Sequence, residues 1–502
     1  MKQLFLLLVL LITLPALAQK KATDLDKKIA AFDTYVQASM KQWEVPGMSV
    51  AVVKDDKVIY MKGLGVRELG KPDAVNTDTK FSIGSTTKAM TAVCMGMLVD
   101  EGKIKWDDPV MNYLPEYQLY DPFVTRELRI RDLFIHNSGV GNADFLWSMM
   151  DIPPAEILNK MRWVKPSYSM RSSFIYQNIF YVAAGEVIKK VSGKPWEVFI
   201  QERIFNPLGM TQTATKLKTI KDENYTKPHY RIEKVIQPIG YTKDDNIGPA
   251  GSVWSSINDM SKWTICMIDS SKYAGGRLLK AGTWAEMFKP QTIVPTAEFY
   301  PITMKAIKPN WTTYGLGWFQ HDYKGRKINY HTGSLAGLTA IHAQLPDEKL
   351  GVYVLGNMDH AEVRHALVYK CFDLFALGGD RDWSSEFKAL YAQEDAKNEK
   401  AIADFESKHV TGTKPSLPLE AYAGTYTDPL YGQVRISVKG NSLDVSINND
   451  VLRLSLDHWE YDSFRGWFEK KWYGKANAVF TIGADGTVSA VNLLGIDLRR
   501  VK

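Results

Sequence analysis

Ser85 and Lys88 stand three positions apart in FSIGSTTKAM, residues 81–90, where strand-like sequence gives way to a helical pattern. On a helix, positions i and i+3 share a face, so the lysine amine falls within reach of the serine hydroxyl. A serine hydroxyl is a weak nucleophile until a neighbouring base takes its proton. Lysine can be that base only if burial and nearby positive charge bring its pKa from about 10.4 towards neutrality, a change worth roughly 4 kcal/mol. The helix N-terminus adds backbone N–H groups that favour developing negative charge. Alone, the pair also fits a serine N-cap on an ordinary helix. A second Ser-x-x-Lys, Ser385 to Lys388, lies in a charged helical stretch and reads as a solvated surface pair.

Partners decide, and two follow in the sequence. FIYQNIF places Tyr176 and Asn178 ahead of a helix carrying Ala184, Val187, Ile188 and Val191 and closed by Gly193. A phenol can relay a proton to a leaving group, and an amide can both donate to a substrate carbonyl and accept from a substrate N–H. By itself Tyr-x-Asn is most often structural. NYHTGSLAGL then ends a strand with His331, Thr332, Gly333 and Ser334. Glycine there lets a backbone approach closely, and the N–H that follows it can point into the same site.

The elements that must bring residue 85 to residue 331 are legible as patterns. MSVAVVKDDKVIYMKGLG reads as a hairpin hinged on Asp55-Asp56, and helical patterns fill 85 to about 289. Strands return at 327–331, 338–345 and 350–357. Strands at both ends with helices between them predict an α/β (α+β) fold, one antiparallel sheet flanked by helices. A charged helix from about Trp383 to Lys408 and the Pro-containing TGTKPSLPLE form a connection. Beyond it, frequent period-2 runs such as Val434/Ile436/Val438 predict a small all-β barrel or sandwich. The expected organisation is a leader at 1–18, a main domain at 19–380, a helical linker at 381–415 and a β domain at 416–502.

Ser85-x-x-Lys88, Tyr176-x-Asn178 and His331-Thr332-Gly333 together resemble the three signature elements of the penicillin-recognising serine hydrolases. With tyrosine leading the second element, the likeness is to the branch of class C beta-lactamases, D,D-peptidases, D-aminopeptidases and esterases. IRDLFIHNSGV, PAGSVWSSINDMSKW and YGLGWF are similar to further family segments in the same order, so the resemblance spans about 25 to 375. The region from about 416, including YAGTYTDPLYG, is similar to the lipocalin-like β domain of some members.

That resemblance implies an acyl-enzyme on Ser85, with Lys88 as proton acceptor, Tyr176 as proton relay and His331 as a further member of the catalytic set. Asn178, Thr332, Gly333 and Ser334 would bind substrate, and the N–H groups of Ser85 and Ser334 would form the oxyanion hole. His331 stands where many beta-lactamases carry lysine. Histidine is mostly neutral near pH 7 and binds an anion weakly, which shifts the expectation from antibiotics to peptides, amides or esters, in a D-aminopeptidase-like or esterase-like activity. Two alternatives remain: a class C-type beta-lactamase or D,D-carboxypeptidase, and a penicillin- or cell-wall-binding sensor that does not turn over.

Composition sets the remaining bounds. Hydrophobic residues at 45% and charged residues at 24% are ordinary for a globular chain, and the net charge of +6 is spread without basic blocks, so nucleic acid is not an expected partner. The expected partner is a small-molecule, peptide or cell-wall-derived substrate, with oligomeric state open. No phosphate-cradling or dinucleotide motif occurs, and His360 and His365 lack metal-ligand spacing, so neither cofactor nor metal is expected. Three cysteines, Cys94, Cys266 and Cys371, do not make a disulfide framework. Lys2, the apolar run from Leu4 to Leu14 and Ala16-Leu17-Ala18 read as a secretory signal cut before Gln19, implying an exported, periplasmic or secreted protein with no membrane segment thereafter.

Overall fold

The computed structural model describes residues 23–359 and 361–501, so the expected secretory signal lies outside the described residues. The hairpin forms where the pattern places it. Gly47–Lys54 and Lys57–Gly65 pair antiparallel, and Asp55 and Asp56 take left-handed backbone at φ 49° and 61°, as a tight two-residue turn requires.

This hairpin is one end of an eight-stranded antiparallel sheet. In spatial order the strands are Lys57–Gly65, Gly47–Lys54, Leu350–Gly356, Leu338–Leu345, Arg326–Leu335, Phe319–Tyr323, Thr312–Tyr314 and Thr292–Ile293. Helices cover both faces, which explains why the central strands are nearly continuous apolar runs instead of alternating ones. Val50, Val52, Val354 and Ile341 enter one core with Phe32 of the N-terminal helix and Leu367 of helix Val363–Phe372. Their neighbours Ala51, Tyr353, Leu355 and Ala340 enter a second core with helices Thr87–Asp100, Ile179–Ser192 and Ile257–Ile268.

The sheet leaves one edge open. Arg326–Leu335 pairs with Leu338–Leu345 up to the Leu335–Leu338 pair, but its pairing with Phe319–Tyr323 stops at Tyr330. From 331 to 335 the outer edge has no strand partner, and the 3₁₀ turn Gly84–Thr86 packs there instead. Gly333 makes the approach possible: a Cβ on it would lie 1.9 Å from the Ile83 carbonyl oxygen and 3.1 Å from the Ser85 nitrogen. Helix Thr87–Asp100 follows directly, and every residue from Thr87 to Leu98 is buried, as expected for a helix apolar all round.

Helix Trp383–Ser407 leads away, buried at Trp383 and Phe387 and exposed along most of its second half. Its Ser385 and Lys388 are not the free surface pair expected. Ser385 Oγ accepts from Gln42 Nε2 at 3.0 Å, and the Lys388 amine donates to the Gln42 carbonyl, which fastens this helix to the N-terminal one. The last eight strands, from Gly424–Asp428 to Ile496–Arg500, close into a barrel with its own core around Leu443, Leu454, Phe464 and Val491. All three cysteines are free and buried. Among the described residues no helix is long and apolar enough to cross a membrane.

Candidate active site

The Lys88 amine organises the site. It lies 3.0 Å from Ser85 Oγ, 2.6 Å from Asn178 Oδ1 and 2.8 Å from the Ala250 carbonyl oxygen. Beneath it are the rings of Tyr176 and Tyr181, at 4.9 and 5.1 Å from nitrogen to centroid. Lys88 has no solvent exposure, whereas Ser85 is half-buried and Ser334 exposed, so a submerged amine faces a hydroxyl that solvent and substrate can reach.

Burial lowers the Lys88 pKa to about 7, and the Asp144 carboxylate opposes that shift. The sequence argument required nearby positive charge as well. The structure corrects this, because desolvation alone brings the amine to neutrality and the charge beside it is negative. A neutral lysine offers one lone pair and two N–H donors, so it can accept the Ser85 proton while donating to the Asn178 and Ala250 oxygens.

Tyr176 and Asn178 arrive together at the start of helix Ile179–Ser192, whose end is the left-handed Gly193 cap. Burial raises the Tyr176 pKa well above 10, with a side-chain hydrogen bond to Ser85 pulling the other way. The phenol is therefore held protonated, able to donate a proton but not to act as a standing base. Its ring lies 4.2 Å from the His136 ring and is stacked on Phe299 at 5.8 Å.

Gly333 places the backbone of the open edge against Ser85. A Cβ on Gly84, itself at φ 49°, would fall 2.7 Å from the Ser334 nitrogen, so the backbone at Ser85 and the backbone at Ser334 lie close against each other. Two backbone donors so placed can hold an oxyanion.

His331 is one layer deeper. Its Nδ1 donates to the Thr332 carbonyl at 2.6 Å, which leaves Nε2 to accept from the Tyr314 hydroxyl at 2.9 Å. It is 1% exposed, and burial, followed by the Lys88 amine, lowers its pKa to about 3. Both ring nitrogens are engaged internally, so the imidazole neither faces Ser85 nor offers a charge to substrate. Thr332 is buried too, its hydroxyl engaged with Tyr300.

Several residues here were not singled out in the sequence. Asp144 Oδ1 accepts from Asn178 Nδ2 at 2.9 Å and fixes that amide's orientation. Arg364, 2% exposed, donates to the carbonyls of Gly333 and Ala340, to Ser334 Oγ and Tyr300 Oη, and through two nitrogens to Glu362. It clamps the open edge from behind. The sequence of its helix, Val363–Phe372, did not mark it out, because His365 and Lys370 stand there too.

The model of the family described as "Beta-lactamase" matches residues 32–369, two thirds of the chain. The chain belongs to the beta-lactamase family. It is a serine hydrolase. A second model, "Domain of unknown function (DUF3471)", matches residues 408–500, the stretch that contains the barrel.

Among curated proteins this beta-lactamase family member is 29% identical over 441 residues to "Unguisins hydrolase ungD" of Aspergillus violaceofuscus, covering 81% of the chain and 76% of that protein. It is 23% identical over 340 residues to "Protein flp" of Staphylococcus aureus, covering 65% and 62%. Among solved structures, the octameric penicillin-binding protein homologue from Pyrococcus abyssi superposes with a TM-score of 0.61 at 22% identity, over 94% of this chain and all of that one. SurE superposes with a TM-score of 0.58 at 17% identity, over 95% of this chain and all of that one. At these identities the likeness is one of fold.

Proposed function

We propose that the protein cleaves amide, peptide or ester bonds through an acyl-enzyme on Ser85, with an activity of the D-aminopeptidase or esterase kind. The observation that carries this reading is a buried lysine, neutral near pH 7, 3.0 Å from a solvent-reachable serine hydroxyl. Lys88 takes the Ser85 proton as Oγ attacks the carbonyl carbon. The N–H groups of Ser85 and Ser334 hold the resulting oxyanion, a contribution of about 3 to 4 kcal/mol per donor in other serine hydrolases. Asn178 aligns the scissile group. The Tyr176 phenol passes its proton to the leaving nitrogen or oxygen and is reprotonated by the Lys88 ammonium, which frees the amine; water then attacks the acyl carbon, and Lys88 takes its proton and returns it to Ser85 Oγ as the acid leaves.

The charge distribution supports the substrate class. His331 is uncharged, and Arg364 has every nitrogen committed within the protein. Neither offers a cation to the carboxylate of a beta-lactam or of a peptide C-terminus, while Asp144 supplies negative charge beside Asn178. Among the relatives, one is named an unguisins hydrolase, and SurE has been solved with D-Leu.

A panel of D-aminoacyl anilides, p-nitrophenyl esters, D-Ala-D-Ala peptides and a chromogenic cephalosporin tests this, with Ser85→Ala as control. Anilides and esters are expected to lead, and every rate should vanish in Ser85→Ala. Fastest turnover of the cephalosporin would make the protein a beta-lactamase, and a lasting Ser85 adduct without product would make it a sensor. Export belongs to the same proposal and rests on the pattern of residues 1–18; N-terminal sequencing of the secreted or periplasmic protein should begin at Gln19.

A further inference from the structure

Asp144 is where the barrel meets the catalytic machinery. On one side its carboxylate fixes Asn178, which holds Lys88. On the other it is the N-cap of the helix Phe145–Ser148, and the residues that follow are built into the barrel. Phe145 packs edge-on against Tyr431 with centroids 5.6 Å apart, and Met149 is a buried member of the barrel's own core. Asn448, in a barrel turn, donates through one amide nitrogen to the carbonyls of Met149 (2.9 Å) and Tyr431 (3.1 Å). A cavity with room for about one water remains at this joint, lined by Phe145, Met149, Tyr431 and Asn448. A four-residue helix has no stability of its own and takes its position from what it packs on.

We propose that the barrel is a positioning element for the nucleophile: by gripping Phe145 and Met149 it fixes Asp144 against Asn178 and so sets the Lys88 amine on Ser85. The proposal rests on the reading of Lys88 as the base. Of the groups that face Lys88, Ser85, Asn178 and the Ala250 carbonyl are uncharged, His136 and His331 are held neutral by burial, and Tyr176 and Tyr181 are held protonated by burial. Asp144 is the carboxylate acting on it, and it favours the charged amine. Drawing Asp144 away therefore has two separable effects. Asn178 loosens, so the rate falls, and the amine loses its proton more readily, so the acid limb of the pH profile moves to lower pH. A loss of folded protein alone lowers the amplitude and leaves the limb in place.

The test is the rate of Ser85 labelling by a fluorophosphonate probe against pH, in the full chain, for wild type, Asn448→Ala, Asp144→Asn and the double variant, with melting temperatures measured alongside. Asn448→Ala should slow labelling about tenfold and move the limb down in pH, in the same direction as Asp144→Asn. The double variant should be no slower than Asp144→Asn, because both act through one contact. An unmoved limb in Asn448→Ala, or effects that multiply in the double variant, overturns the proposal. If Asn448→Ala melts below assay temperature, Tyr431→Leu, which removes the ring edge on Phe145, is read in the same way. No labelling of wild type, or equal labelling of Ser85→Ala, would instead sink the catalytic reading itself.

Discussion

A lysine that has lost its water is the centre of this site, and its burial makes its proton transferable. In the proposed mechanism the active form is the free amine, so kcat/KM should rise with pH through about 7 and level off above it. Lys88→Arg, which cannot give up its charge, should lower kcat by about a hundred- to ten-thousandfold and abolish that limb. His331→Gln should leave the limb where it is, since His331 titrates near 3 and is neutral throughout. Steady-state profiles of the three proteins check this, and a limb that moves with His331 would reassign it to the imidazole.

At the level of elements, the site is an unpaired strand edge held between a helix start and a buried ion pair. Gly333 permits the contact, and a Cβ there would overlap the Ile83 carbonyl oxygen. Gly333→Ala should therefore force the edge away from Ser85 and cost about a hundredfold or more in kcat, the size of a lost oxyanion donor. Behind the edge, burial would raise the Glu362 pKa, but the Arg364 charge, with the His365 ring nitrogen 3.3 Å away, overcomes this and takes it from 4.5 down to about 2. A carboxylate depressed in the folded state contributes stability that is present above about 4.5 and lost as pH falls towards 2. Glu362→Gln should remove that pH dependence and, by leaving Arg364 buried and unpaired, cost about 3 to 5 kcal/mol at neutral pH. Urea unfolding at several pH values measures both.

At the level of the whole molecule, the barrel core is distinct from the two cores that flank the large sheet, with Met149 of the catalytic part entering it and Phe145 packing against it. Separate cores predict separable unfolding. Phe464→Ala deletes a ring from the barrel interior, a loss of about 3 to 5 kcal/mol, and should lower one calorimetric transition by roughly 10 °C or more while leaving the other near its wild-type temperature. Two transitions moving together would show that the joint at Phe145, Met149 and Asn448 couples the units into one.

The sequence by itself determined whatever depends on neighbours along the chain. The hairpin, the helix Ile179–Ser192 and the barrel strands each carry a local period and local turn or cap residues, such as Asp55-Asp56 and Gly193, and those suffice to specify them. Ser85 and Lys88 are within reach of each other by their spacing alone, across the 3₁₀ turn Gly84–Thr86 and the first turn of helix Thr87–Asp100. Tertiary structure decided what depends on being buried and on residues far away in the chain. Whether Lys88 is charged depends on the dry surroundings that Tyr176, Tyr181 and Ala250 provide. Whether His331 reaches substrate depends on Tyr314 claiming its nitrogen. That Asp144 and Arg364 belong to the site at all follows only from packing, since desolvation and long-range hydrogen bonds leave no periodic trace in a sequence.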